Sequence, residues 1–357
     1  MEITRIKLFQ KQLIKENIES FLISNPLNCN YLGGLEDAEG FLLVLADKSY
    51  FLTDFRYVEA LNTLDSGIEV VDCKGSVREI LVELLKAQKV SSLAFEESII
   101  YSLYQRFNDY LEDFQIDFFM GPQICETLRM VKTEDELALI RKSAEINDAI
   151  LKHTIGKIKV GMTELDLKNE LEFALRKEGA TSSSFDLIVI SGKRTSLPHG
   201  IASKKKIVYN ESILFDIGVT YKGYASDMTR MVYLGDPSEA FLKIYNIVKT
   251  SQAIGLKTIK SGLKAHVVDD SVRDYISKAG YGKAFGHSTG HGVGLYIHER
   301  PNISIKSDNV LKPNMVFTVE PGIYLENKFG IRIEDLVVLG DDSVEVLSKT
   351  SKDLCII

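Results

Sequence analysis

The first third of the chain mixes two apolar periods. Residues 3–18 carry Ile3, Ile6, Leu8, Leu13 and Ile14 at helical spacing. Short apolar runs of buried-strand length follow at Phe21-Leu22-Ile23, Phe41-Leu42-Leu43-Val44-Leu45 and Ile68-Glu69-Val70-Val71. Residues 77–85 return to a helical pattern. Alternating helix and strand signals predict an α/β region, a mixed sheet covered by helices. Residues 121–132, opening on Gly121-Pro122, read as a connector.

Beyond it the start signals are sharper. Thr133 with Glu136 forms a capping box ahead of Leu137, Leu139, Ile140, Ala144 and Ile146. Thr163 with Asp166 repeats the device ahead of Leu167, Leu171 and Leu175. Helical patterns also cover 237–258 and 264–279, and strand-like runs cover 185–191, 213–220, 224–233, 315–325 and 330–339. The second region is therefore expected to be α+β, with helices among antiparallel hairpins. The division predicted is 1–123 and 124–357. No repeat of 20–50 residues interrupts this scheme.

Composition narrows the function classes. A chain of 357 residues with 45% hydrophobic and 26% charged positions is ordinary for a globular protein and excludes wholesale disorder. The net charge of -7 argues against nucleic acid and anionic membrane as partners, both of which favour basic patches. No apolar run is long enough to span a bilayer, and the N-terminus alternates charge with apolar residues, so a cytoplasmic protein is expected. Cys29, Cys73, Cys125 and Cys355 form no CxxC pair and read as unpaired thiols, not a zinc site.

Chemistry concentrates after residue 195. A hairpin is predicted from 213–220 and 224–230, and a turn centred on Tyr221-Lys222 would set Asp216 directly across from Asp227. Two opposed carboxylates in an apolar strand repel, and a buried unpaired charge is costly; a bound cation removes both objections. A second hairpin sets Glu320 against Glu334, with Arg332 on the same side as Glu334. A solvated acidic sheet face is the bland alternative for either hairpin. Four of the six histidines fall nearby: His199, His287, His291 and His298. Glycines 286, 290, 292 and 294 exclude a helix around His287 and His291 and suit a bulged strand or close backbone approach. His153 and His266 sit on helical patterns and read as ordinary.

Five segments then stand in order: Phe215-Asp216-Ile217-Gly218, Ser226-Asp227-Met228-Thr229-Arg230, Gly286-His287-Ser288-Thr289-Gly290-His291-Gly292-Val293-Gly294-Leu295, Val319-Glu320-Pro321-Gly322 and Ile331-Arg332-Ile333-Glu334-Asp335. This set resembles the dinuclear metallopeptidases of pita-bread fold, namely the methionine aminopeptidases, aminopeptidase P and prolidase. The resemblance implies an α/β creatinase/prolidase-like N-terminal domain and an α+β pita-bread catalytic domain with an antiparallel sheet. It implies that Asp216 chelates one metal, that Asp227 and Glu334 bridge, and that His291 and Glu320 hold the second. His199 and His298 resemble substrate-side catalytic histidines, Glu320 a proton shuttle as well as a ligand, and His287 and Arg332 substrate-binding residues. Two divalent ions are implied. The oxygen-rich donor set without thiolate favours Mn2+, with Co2+ or Zn2+ as alternatives.

The activity implied is hydrolysis of the bond between an N-terminal residue and proline by a metal-bridging hydroxide. The substrates are Xaa-Pro peptides for an aminopeptidase or dipeptides for a dipeptidase, with Arg300 a candidate carboxylate reader. A homodimer is also implied, with Thr53-Asp54-Phe55-Arg56-Tyr57 a candidate contact, although Asp54 at a helix start accounts for that segment equally well. The alternative from another class is a non-catalytic pita-bread peptide-binding module.

Overall fold

The computed structural model describes residues 4–35, 38–64 and 66–357. Ile3 lies outside them. The chain forms two compact units, Met1–Leu128 and Arg129–Ile357, and the division falls within the short helix Ile124–Met130.

The first unit is built on a six-stranded mixed sheet. Its order is Glu69–Asp72, Ser49–Thr53, Phe41–Leu45, Ser20–Ile23, Ser92–Phe95 and Asp117–Met120. The three central strands pair antiparallel and the outer ones join in parallel. Helices Arg5–Lys15, Val77–Ala87 and Tyr101–Glu112 flank it. One apolar cluster including Leu22, Leu43, Leu52, Leu81, Leu85, Phe107 and Leu111 packs sheet against helix. Asp54 caps the helix Phe55–Leu61 by accepting the Arg56 N–H.

In the second unit both predicted capping boxes are present. Thr133 and Glu136 open the helix Glu134–Ile155, and Thr163 and Asp166 open Glu164–Lys177. A four-stranded sheet runs Cys355–Ile356, Met228–Leu234, Glu211–Ile217, Ile188–Ser191. A five-stranded sheet runs Glu299–Ile303, Gly290–Gly292, Val316–Val319, Asp335–Leu339, Val344–Val346. The helix Glu239–Thr258 covers one face, with Phe241, Tyr245 and Val248 buried against Leu214, Met231 and Ile323. All ladders of this unit are antiparallel apart from that between Met228–Leu234 and Cys355–Ile356. Cys29, Cys73 and Cys355 are free thiols, the first two of them buried. Among the described residues, no helix is long and apolar enough to cross a membrane.

Candidate metal centre

Strand alternation places the first acid. In Glu211–Ile217, Ile213, Phe215 and Ile217 enter the core beneath the helices Glu134–Ile155 and Glu164–Lys177, while Leu214 enters the opposite cluster. Asp216 follows Leu214 to that second face. Thr229 stands across from Asp216 in the ladder. Asp227, two residues earlier, shares the side of Thr229.

The direct opposition expected of Asp216 and Asp227 does not form. The turn is centred on Lys222-Gly223, with φ of 46° and 82°. Two successive positive φ values are what a two-residue hairpin turn requires, and glycine supplies the second at no steric cost. Tyr221 therefore pairs with Tyr224, and the ladder is offset by two residues. The two carboxylates become diagonal neighbours, still close enough for Asp216 to help raise the pKa of Asp227.

The second hairpin sets its acids across from one another as read. Val319 pairs with Asp335 and Gly322 with Arg332, so one register carries Glu320 opposite Glu334 in the gap between two ladders. Pro321, which has no N–H to donate, sits in that gap. His291 arrives on the strand Gly290–Gly292, whose register shifts between His291 and Gly292. A Cβ at position 290 would lie 2.0 Å from the Thr318 carbonyl oxygen, and one at 292 would lie 2.2 Å from that of Arg300. The bulge and the close backbone approach inferred from the glycines are both present, the approach being to neighbouring strands.

His291 Nδ1 lies 3.1 Å from the Gly292 carbonyl, which can only accept, so Nδ1 carries the proton and Nε2 a lone pair. That lone pair faces Asp227 Oδ2 at 3.5 Å and Glu320 Oε1 at 3.4 Å. Burial holds the imidazole neutral, its pKa pushed down to about 4. The carboxylates shift the other way. Burial, then Glu334, Asp216 and Glu320, raise Asp227 well above the usual range. Burial raises Glu320 to about 8, and burial with Glu320 and Asp216 beside it raises Glu334 well above its usual value. Asp227 Oδ1 is buried with no hydrogen-bond partner.

Ligand atoms of Asp227, His291 and Glu334 lie within 4.8 Å of one another. Glu320 joins through His291. Asp216 stands outside this tight group, its Oδ2 taking a 2.5 Å bond from Arg332 Nη2. Facing lone pairs, an orphaned carboxylate oxygen and mutually repelling acids fit divalent cations, which reward that arrangement.

Two neighbours escape a reading of sequence alone. Tyr324 OH receives Arg332 Nη1 at 2.7 Å and stands 3.0 Å from His287 Nε2. His287 Nδ1 donates to the Ser288 carbonyl at 2.8 Å, so Nε2 accepts from the phenol. Burial, then Arg332, hold His287 down to about 4. Thr229 donates to Glu334 Oε2 at 2.6 Å and accepts from Arg332 Nε at 3.0 Å. Thr229 lies inside a motif already singled out. Nothing in the order of residues announces that Tyr324 turns onto Arg332.

Asp216, Asp227, His287, His291, His298, His199, Glu320, Arg332 and Glu334 all line one cavity of about 510 Å³. Phe185, Ile188, Pro198 and Ile201 give it an apolar wall. The His291 and His298 rings lie 4.4 Å apart, and burial lowers the pKa of His298. Arg300 is exposed and does not line the cavity, and His153 and His266 sit in helices away from it.

Comparison with known proteins gives a family match for each unit. Residues 138–341 match metallopeptidase family M24, and residues 5–131 match the creatinase/prolidase N-terminal domain. An Xaa-Pro dipeptidase of Pyrococcus furiosus is 34% identical over 352 residues, covering 98% of this chain and 99% of that protein. The structure of an Xaa-Pro dipeptidase from Bacillus anthracis superposes with a TM-score of 0.95 at 39% identity, covering 99% of both chains. That of an X-Pro aminopeptidase from Thermotoga maritima superposes with a TM-score of 0.88 at 36% identity, covering 98% of this chain and 100% of that one.

Proposed function

The chain belongs to metallopeptidase family M24, and from that premise we propose that it removes the N-terminal residue from peptides whose second residue is proline. The observation that carries this reading is the convergence of four carboxylates and a neutral imidazole on one cavity, with an orphaned Asp227 oxygen among them. That donor set is of use to a metal enzyme and is a liability to a binding module. We assign Asp216, Asp227, His291, Glu320 and Glu334 as the residues that hold two divalent cations. Four oxygen-donating side chains and no thiolate favour Mn2+. Bound there, the cations neutralise the acids and supply Lewis acidity and a water of lowered pKa.

The remaining chemistry is the chain's own. Glu320 lines the cavity beside His291, where its carboxylate can take and return a proton at the reacting centre. His298, whose pKa partial burial lowers, has an N–H to offer the carbonyl oxygen as charge develops on it, and His199 faces the same space. Proline lacks an amide hydrogen and needs no acceptor, which suits the apolar wall of Phe185, Ile188, Pro198 and Ile201.

Aminopeptidase action is favoured over dipeptidase action. Among the described residues, Arg332 is the one Lys or Arg lining the cavity, and its guanidinium already serves Asp216, Thr229, Tyr324 and the Pro198 carbonyl. A dipeptide's free carboxylate therefore meets no uncommitted Lys or Arg there. A cytoplasmic homodimer completes the reading, the free thiols Cys29, Cys73 and Cys355 suiting a reducing compartment; sedimentation velocity tests the dimer. The deciding assay offers Mn2+-loaded protein an Xaa-Pro dipeptide and an Xaa-Pro-Yaa tripeptide. Faster cleavage of the tripeptide between Xaa and Pro is expected. Cleavage of the dipeptide alone makes the enzyme a dipeptidase, and cleavage of neither by metal-loaded protein overturns the Xaa-Pro assignment.

A further inference from the structure

His199 sits near the tip of the segment 191–203 and makes no hydrogen bond to another described residue. Its place in the cavity is therefore set by how that loop is held. On the cavity side the holds are light. Arg332 Nη1 reaches the Pro198 carbonyl at 3.3 Å, and the Gly330 N–H reaches Thr195 Oγ1 at 2.9 Å.

At its base the loop is tied by one carboxylate. Glu164, fully buried in the first turn of its helix, accepts from both stems. From the first stem come the Ser191 N–H at 2.8 Å and Ser191 Oγ at 3.1 Å. From the second come the Ser203 N–H at 3.0 Å and Ser203 Oγ at 2.7 Å. Arg194, inside the loop, adds Nε at 3.1 Å and sends Nη2 to the Ile201 carbonyl at 2.5 Å. A buried carboxylate is expensive unless charge and hydrogen bonds surround it. Here the groups that satisfy it are the two ends and the middle of the loop that carries His199.

We propose that Glu164 is the positioning residue for His199, fixing the loop 191–203 so that the imidazole faces the reacting carbonyl. The proposal rests on the Xaa-Pro peptidase reading for its kinetic consequence and on geometry alone for its structural one. Glu164→Gln is the isosteric probe, because its amide nitrogen cannot accept from the serine N–H and O–H groups of one stem.

The experiment compares wild type, Glu164→Gln, His199→Ala and the double variant, all at equal Mn2+ content. Turnover of an Xaa-Pro-Yaa peptide is followed alongside amide hydrogen exchange. Glu164→Gln is expected to lower kcat/KM about 10²-fold, the order that a displacement of about 1 Å costs. In the His199→Ala background the same change should add less than about 3-fold. Exchange across 191–203 should quicken while the strand Glu211–Ile217 keeps its protection. Multiplicative losses in the double variant, or unchanged exchange in the loop, overturn the proposal. Should Glu164→Gln fail to fold, Ser203→Ala removes the hydroxyl's bond to Glu164 and the one it accepts from the Lys205 N–H, keeps the Arg194 pair, and must show the same coupling on a smaller scale. Wild-type protein inactive on Xaa-Pro peptides would sink the substrate reading, and the exchange data would then decide the clamp alone.

Discussion

Metal-free protein should lose stability as the pH rises from 6.5 to 8, opposite in sign to ordinary acid denaturation. Glu320 has its pKa raised from 4.5 to about 8 in the folded site. Between those values the unfolded chain has released the proton and the folded site still holds it. The folded state binds more protons, so each pH unit removes about 1.4 kcal/mol of stability until the folded pKa is passed. His287 and His291 act the other way. Held at about 4 against an ordinary 6.5, they refuse protons that the unfolded chain accepts, and stability falls as pH drops below 6.5. The two signs offset one another between 4.5 and 6.5, which leaves the carboxylates alone above 6.5. From there to pH 8 Glu320 costs about 2 kcal/mol, and Asp227 and Glu334 add to it with the same sign. For a unit of about 230 residues this lowers Tm by about 4–8 °C. The assay is calorimetry on chelator-treated and Mn2+-loaded protein at half-unit steps. The loaded protein should be flat or rise across the window, because the cations expel the shared protons and bind more tightly as pH increases. A metal-free Tm that is flat or rises from 6.5 to 8 would refute the claim that burial and crowding hold protons on these acids.

Three further variants have outcomes that follow from their surroundings. Asp227→Asn should cut metal stoichiometry, measured by elemental analysis, below that of wild type and lower kcat/KM by about 10³-fold. The same variant, metal-free at pH 8, should melt above metal-free wild type, because the group repelled by Glu334, Asp216 and Glu320 is gone. Phe215→Ala, fully buried between the sheet and two helices, should cost about 3–5 kcal/mol in urea titrations and leave the pH profile of activity in place. Thr133→Ala removes the acceptor of the Glu136 N–H and should cost about 1 kcal/mol without changing KM.

Much of the fold was legible where local chemistry and burial agree. Both capping boxes, the strand Phe41–Leu45 and the long helices stand where periodicity puts them. The strands Ser49–Thr53, Ser92–Phe95 and Asp117–Met120 were missed. Each is short; Ser92–Phe95 and Asp117–Met120 get their strand character from neighbours far away in sequence, as in the parallel pairing of Leu93 with Phe118, while Ser49–Thr53 closes a hairpin on Phe41–Leu45. The hairpin register was misjudged by two residues, because the choice between Tyr221-Lys222 and Lys222-Gly223 depends on which pair can take positive φ twice. Gly223 answers that question, and Lys222 tolerates it at φ 46°.

The acids of the candidate metal centre can be seen because they conflict with their surroundings: an aspartate inside Phe215-Asp216-Ile217 contradicts a buried apolar strand unless something binds it. Their supports show no such conflict. Arg332 and Asp216 are separated by 116 positions, and Glu164 and Ser203 by 39. In sequence Glu164 and Ser203 are unremarked polar residues, and nothing there joins Arg332 to Asp216. In the folded chain the loops bearing the three accessory histidines each rest on an inward-facing carboxylate. Glu164 ties the loop of His199. Asp269 accepts the Thr289 N–H and pairs with Arg273, which holds the His287 carbonyl at 2.9 Å. Glu299, next to His298, meets Arg129 at 2.5 Å and Lys132 at 2.8 Å. Buried charge is a poor source of net stability, since apolar replacements often do as well. What it supplies is direction: a carboxylate that must be satisfied by several donors at once admits few arrangements of the loop around it. These contacts join residues far apart in the chain, so the arrangement cannot be read one residue at a time.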